Sequence, residues 1–100
     1  MIALASENNT KIDGFLIAFP QPAPPVYDPG LTYMLDDFCV ADDAIWQTVG
    51  SELLSTALEA VKTAGAIQCL TVCPIAHTEK AKLLQSAGLL PASTWSAITL

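Results

Sequence analysis

The stretch Thr32–Leu54, TYMLDDFCVADDAIWQTVGSELL, decides the reading of this chain. Its first nine residues, Thr32 to Val40, have strand character, and an acidic bend follows them. A helix then opens at Ser51. Leu53, Leu54, Ala57, Leu58, Val61 and Ala64 recur at helical spacing, while Glu52, Ser55, Thr56, Glu59, Lys62 and Thr63 take the other face. Gly65 ends it in the C′ position. A strand, a tight turn and a helix start in that order gather unpaired backbone N–H groups at one point, here around Thr48, Val49, Gly50 and Ser51. Such a point attracts an anion, often a phosphate. Within the strand, Asp36 and Asp37 break the apolar run. Neighbouring side chains on a strand point to opposite faces, so one of the two is expected to face the side that packs or binds.

Working outward, Ile67 to Cys73 is a nearly all-apolar strand, the mark of burial on both faces, and Pro74 stops it. Strand, helix and strand make a βαβ unit with parallel strands. A second helix runs from about Glu79 to Ala87, with Leu83 and Leu84 inward and Gly88 as its stop. The tail, Ser93 to Leu100, alternates in the manner of a final strand. Upstream, Met1–Ser6 and Ile12–Phe19 read as an antiparallel hairpin joined by a turn over Glu7–Lys11, where Asn8-Asn9 tolerate positive φ. Pro20, Pro22, Pro24 and Pro25 forbid regular pairing, so the segment through Pro29-Gly30 is an extended loop or an edge. It is either a site of mobility and partner contact or a connector stiffened by proline.

One hundred residues, 52% of them apolar, bound a single domain over 1–100. No apolar stretch approaches the roughly 20 residues of a membrane span. No charged segment precedes an apolar one at the start, so a soluble, cytoplasmic protein is expected. Ten acidic residues against four lysines and no arginine give a net charge of −6, which repels a nucleic-acid backbone and suits a cationic amine. Cys39, Cys69 and Cys73 lack the spacing of a disulfide framework or a metal site. Cys69 and Cys73, on one strand, would lie about 13 Å apart, too far to bond. All three are read as small core residues.

The order β-β-β-α-β-α-β, the Gly50-Ser51-x-Leu53-Leu54 helix start, the Thr63-Ala64-Gly65-Ala66 bend and the Ser86-Ala87-Gly88-Leu89 close resemble the GNAT superfamily of acyl-CoA-dependent N-acyltransferases. The likeness runs from about Ile12 to the end. It implies an α/β fold with a strongly twisted mixed sheet, splayed between this chain's third and fourth strands, in which the acyl-pantetheine arm lies as a pseudo-strand. It also implies binding of the acetyl-CoA diphosphate at the turn before the long helix, through a motif written [RQ]-x-x-G-x-[GA]. The register set by Leu53-Leu54 puts Ile45 at the Arg or Gln, Thr48 at the first glycine and Gly50 at the last position. A second register, on Gln47-x-x-Gly50, places Glu52 where a small residue belongs.

With no arginine, the amides of Val49, Gly50 and Ser51 and the helix dipole are left to hold the diphosphate, and Lys80 or Lys82 to approach another phosphate. The amide of Cys39 or Val40 would polarise the thioester carbonyl. The tyrosine that many members use to protonate the leaving thiolate falls at Leu84, which has no proton to give. His77 is the substitute, and Asp36 or Asp37 the base for the amine. The resemblance implies a first strand and two helices that wall the acceptor site, for which the sequence reading finds no counterpart, so the open edge is expected to favour association, as a homodimer, or cover by the proline-rich loop. The implied activity is direct acyl transfer to a small-molecule or peptide amine. The alternative is a catalytically degenerate GNAT-like module used for binding or assembly.

Overall fold

The computed structural model describes residues 1–21, 30–74, 76–91 and 96–100. Most of the proline-rich segment lies outside these residues. β1 (Ile2–Asn8) and β2 (Lys11–Pro20) form the expected hairpin. Asn8 still pairs with Lys11, leaving a two-residue loop, so the positive φ values fall on Asn9 and Thr10 rather than on Asn8-Asn9. β3 (Thr32–Val40) pairs antiparallel with β2 and parallel with β4 (Gln68–Thr71), giving a mixed sheet in the order β1-β2-β3-β4.

α1 (Ser51–Thr63) is the crossover between the two parallel strands, and α2 (Thr78–Ser86) follows β4. Both helices end where glycine was expected to end them. At Gly65 (φ 97°) and Gly88 (φ 92°) the chain turns left-handed, and the glycine's own amide and the one after it return to last-turn carbonyls: Gly65 to Lys62 and Ala66 to Val61, Gly88 to Gln85 and Leu89 to Leu84.

One face of the sheet carries the core. Leu16 and Ala18 of β2 and Leu35 and Phe38 of β3 pack against Leu53, Leu54, Ala57 and Val61 of α1 and Leu83 and Leu84 of α2. Both helices share this face, because the groove between them is lined by Leu54 and Leu58 of α1 and Leu83 and Ala87 of α2. Gly14 lets α1 sit close: a Cβ there would come within 2.9 Å of side-chain carbons of Leu53 and Val49. Each buried leucine in this layer contributes about 1.5–3 kcal/mol, more than helix propensity supplies over several residues. The apolar spacing of Leu53 to Val61 therefore fixes which way α1 faces.

Two expectations are corrected here. The strand expected over 67–73 is shorter and only half-buried, with Val72 exposed. Among the described residues it sits at an edge of the sheet; of the final strand expected over 93–100, residues 93–95 lie outside the described residues and 96–100 are exposed and irregular. The aspartate pair is the second case. Ile17 pairs with Asp37 and Ala18 with Leu35, so Asp36 is an extra residue, a β-bulge. The bulge resets the alternation, keeping Leu35 and Phe38 on the core face and leaving both Asp36 and Asp37 exposed. Neither aspartate has to point into the packed side.

Candidate functional site

The site starts from where β3 and β4 part. Their ladder runs from Thr32–Gln68 to Leu35–Thr71 and stops, with the Thr71 hydroxyl donating to the Leu35 carbonyl at 3.2 Å. β3 continues five residues further, to Val40. Its edge from the bulge onward therefore has no strand beside it among the described residues. The Phe38 carbonyl faces this opening, since it accepts from a side chain of α2 rather than from β2. By the two-residue period the main chain of Val40 faces the same way and that of Cys39 faces β2. Of the two amides expected to polarise a carbonyl, Val40 is the one turned to the cleft.

The turn expected over residues 46–51 is instead helix. Asp42 caps it: its carboxylate accepts from the Ala44 amide at 2.8 Å, a 3-10 turn spans Asp43–Ile45, a π-helical turn spans Trp46–Gly50, and α1 continues without a break. The Ile45 amide bonds the Asp42 carbonyl, the Trp46 amide bonds the Asp43 carbonyl, and the Ser51 amide bonds the carbonyls of Trp46 and Thr48. Gly50 has ordinary right-handed helical angles and is buried. Thr48 is exposed and its hydroxyl returns to the Ile45 carbonyl. The first free amides of this helix thus lie some seven residues earlier than expected, beside the carboxylates of Asp42 and Asp43, which already supply the negative charge a helix start favours. A diphosphate there would meet like charge.

Trp46 is 1% exposed and fills the corner that was to be a loop. Its ring meets Phe38 edge-on at 5.0 Å and His77 edge-on at 5.2 Å, and its Nε1–H donates to Asp43 Oδ1 at 3.1 Å. The same carboxylate oxygen lies 3.5 Å from Nε2 of His77. His77, just ahead of α2, makes no side-chain cap; its partner is Asp43. Lys80 is the second correction to the site. Expected near a phosphate, it is 8% exposed, donates from Nζ to the Phe38 carbonyl at 3.1 Å, and holds its ammonium 5.5 and 5.6 Å from the Phe38 and Trp46 ring centres. Lys82 is exposed and paired with Glu79.

The structure thus brings His77, Lys80 and Val40 to one end of β3. Asp36 and Asp37 sit on the bulge of the same strand, with no side-chain partner among the described residues. Cys39 is exposed, and burial pushes the Cys69 thiol up to about 11. Trp46 and Asp43 were missed as members of this cluster. The signal existed: Asp42 followed by Trp46, Val49 and Leu53 at helical spacing is a capped helix start.

A mixed sheet with a parallel crossover, a bulged third strand and an opening beside it make the fold GNAT-like. No protein-family model matches the sequence, and no curated protein does. Solved structures do match. A ribosomal-protein-alanine N-acetyltransferase from Brucella melitensis biovar Abortus 2308 aligns with 17% identity and a TM-score of 0.68, over 98% of this chain and 68% of that one. A Pyrococcus furiosus protein described as an acetyl transferase aligns with 18% identity and a TM-score of 0.83, over 98% and 64%. A transcriptional regulator from Bacillus halodurans C-125 shares 16% identity with a TM-score of 0.78, over 98% and 65%. The chain therefore spans about two thirds of the length of the proteins it resembles. At these identities the likeness concerns the fold.

Proposed function

We propose that this chain binds an acyl-CoA, acetyl-CoA first, with the pantetheine arm along the open edge of β3, and passes the acyl group to a small-molecule or peptide amine. The observation that carries this reading is the parting of β3 from β4 after Leu35 and Thr71, on a GNAT-like fold. An extended ligand added to that edge finds main-chain partners at Phe38 and Val40. The Val40 amide then polarises the thioester carbonyl, and Asp36 or Asp37, exposed on the bulge, takes the proton of the attacking amine, directly or through water. Holding thioester and amine side by side supplies much of the rate.

In this reading the diphosphate contributes little affinity, because the helix start carries Asp42 and Asp43 and the Ser51 amide is already bonded. Calorimetric titration with acetyl-CoA and, separately, with S-acetylpantetheine tests it: both bind in the micromolar range with similar affinity. Heat from neither ligand rejects it. A second reading, a module that keeps the fold but serves binding or assembly, is favoured by the same acidic helix start and by Leu84 in place of a proton donor. That reading expects no thioester binding at all.

A further inference from the structure

α2 turns three buried residues toward the core, Lys80, Leu83 and Leu84, at the i, i+3, i+4 spacing of one helix face. Leu84 stands where the resemblance to the acyltransferases implies a proton donor to the leaving sulfur, and it has no proton to give. Lys80 is one helical turn, about 6 Å, before it on that face. The Lys80 side chain places Nζ on the Phe38 carbonyl, at the open edge of β3. Lys80 is the one buried charged side chain among the described residues. An ammonium has three N–H donors, and the Phe38 carbonyl accepts one. The rings of Phe38 and Trp46 hold the charge in place.

Resting on the acyl-transfer reading above, we propose that Lys80 is the acid of the reaction, giving a proton to the sulfur as the thioester breaks. The amine nitrogen attacks the carbonyl carbon and forms the C–N bond. The C–S bond breaks, its electron pair goes to sulfur, and Lys80 protonates that sulfur to a thiol. The surplus proton on nitrogen leaves through Asp36, Asp37 or water, and Lys80 regains one from solvent. Thioester and amine become amide and thiol with charge and protons balanced. The cleft therefore carries its acid on the turn before the usual one.

The test is thiol release from acetyl-CoA with tyramine, spermidine and an alanyl peptide offered in turn as acceptors. In Lys80→Met, which keeps the stem against the two rings, kcat falls about 100-fold while the acetyl-CoA Kd stays within twofold. Lys80→Arg, which keeps a cation on the Phe38 carbonyl but does not release its proton, is equally slow. Adding Leu84→Tyr to Lys80→Met restores at least tenfold. A Lys80→Met or Lys80→Arg protein with wild-type kcat overturns the assignment while leaving acyl transfer standing, and so does a loss seen only in Kd. Wild-type protein that binds acetyl-CoA but acylates none of the three amines removes the transfer reading and this one together.

Discussion

Gly50 is small for a reason of packing. A Cβ on it would come within 2.8 Å of the Trp46 ring and 3.0 Å of a Leu83 methyl, so α2 can close on the helix before it only if that position is bare. In a helix an alanine would gain about 1 kcal/mol over glycine, but overpacking a tight contact costs about 1–3 kcal/mol. Gly50→Ala is therefore expected to lower the midpoint of urea unfolding, with the loss read from the same transition by fluorescence and circular dichroism. A change that left the midpoint in place would show that Trp46 and Leu83 yield freely. Cys69 offers a residue-scale titration. Burial holds its thiol at about 11 against an ordinary 9.0, so the folded chain keeps a proton that the unfolded chain gives up. Its contribution is complete below about pH 9 and is lost as pH rises through 11, so stability is expected to fall across that window. Cys69→Ser, which does not ionise there, should flatten the fall. At pH 8, Cys39, which is exposed, should react with a thiol reagent well before Cys69.

The elements that carried a clear period were legible. α1 followed from Leu53, Leu54, Ala57 and Val61, both helix stops from Gly65 and Gly88, and the parallel crossover from the strand, helix and strand around them. What escaped were places where a local rule was overridden. Two adjacent aspartates in a strand read as one in and one out, yet a single inserted residue against Ile17 lets both face water, and a bulge leaves no composition signal. The apolar spacing from Leu53 onward reads as a helix opening at Ser51; the helical stretch starts at Asp42, whose capping carboxylate is present in the sequence. Moving that start carries the anion site with it. Asp42 and Asp43 now stand where a diphosphate would need free amides, and removing their charge should favour the ligand. Asp42→Asn with Asp43→Asn keeps a capping side chain and is expected to tighten acetyl-CoA binding several-fold in low salt, with the gain shrinking near 0.5 M salt as screening shortens to a few ångströms. S-acetylpantetheine, which carries no diphosphate, should show no such gain. Equal gains for both ligands would place the effect elsewhere.

At the scale of the whole molecule, the sheet has, among the described residues, helices on one face and an edge strand, β1, that pairs with β2 alone. Its seven residues present a row of main-chain donors and acceptors with neither proline nor lysine to discourage a further strand. Near it the uncovered face includes Phe15, 40% exposed, and Ile12, 65% exposed. No helix among the described residues is long and apolar enough to cross a membrane. Among the described residues, then, the β1 edge and one sheet face lack a neighbour, and both lie toward the hairpin. Antiparallel pairing of β1 with the β1 of a second copy would use the edge and continue the sheet about a two-fold axis, with the two exposed faces side by side. A homodimer is accordingly the expected state at micromolar concentration by sedimentation velocity. Ala5 is exposed in the middle of β1, and a lysine there meets its symmetry-related copy with like charge. Ala5→Lys should shift the protein to monomer with the unfolding midpoint measured below the dissociation concentration unchanged. A wild-type chain that sediments as a monomer at 100 times that concentration would leave the edge without a partner and the homodimer without support.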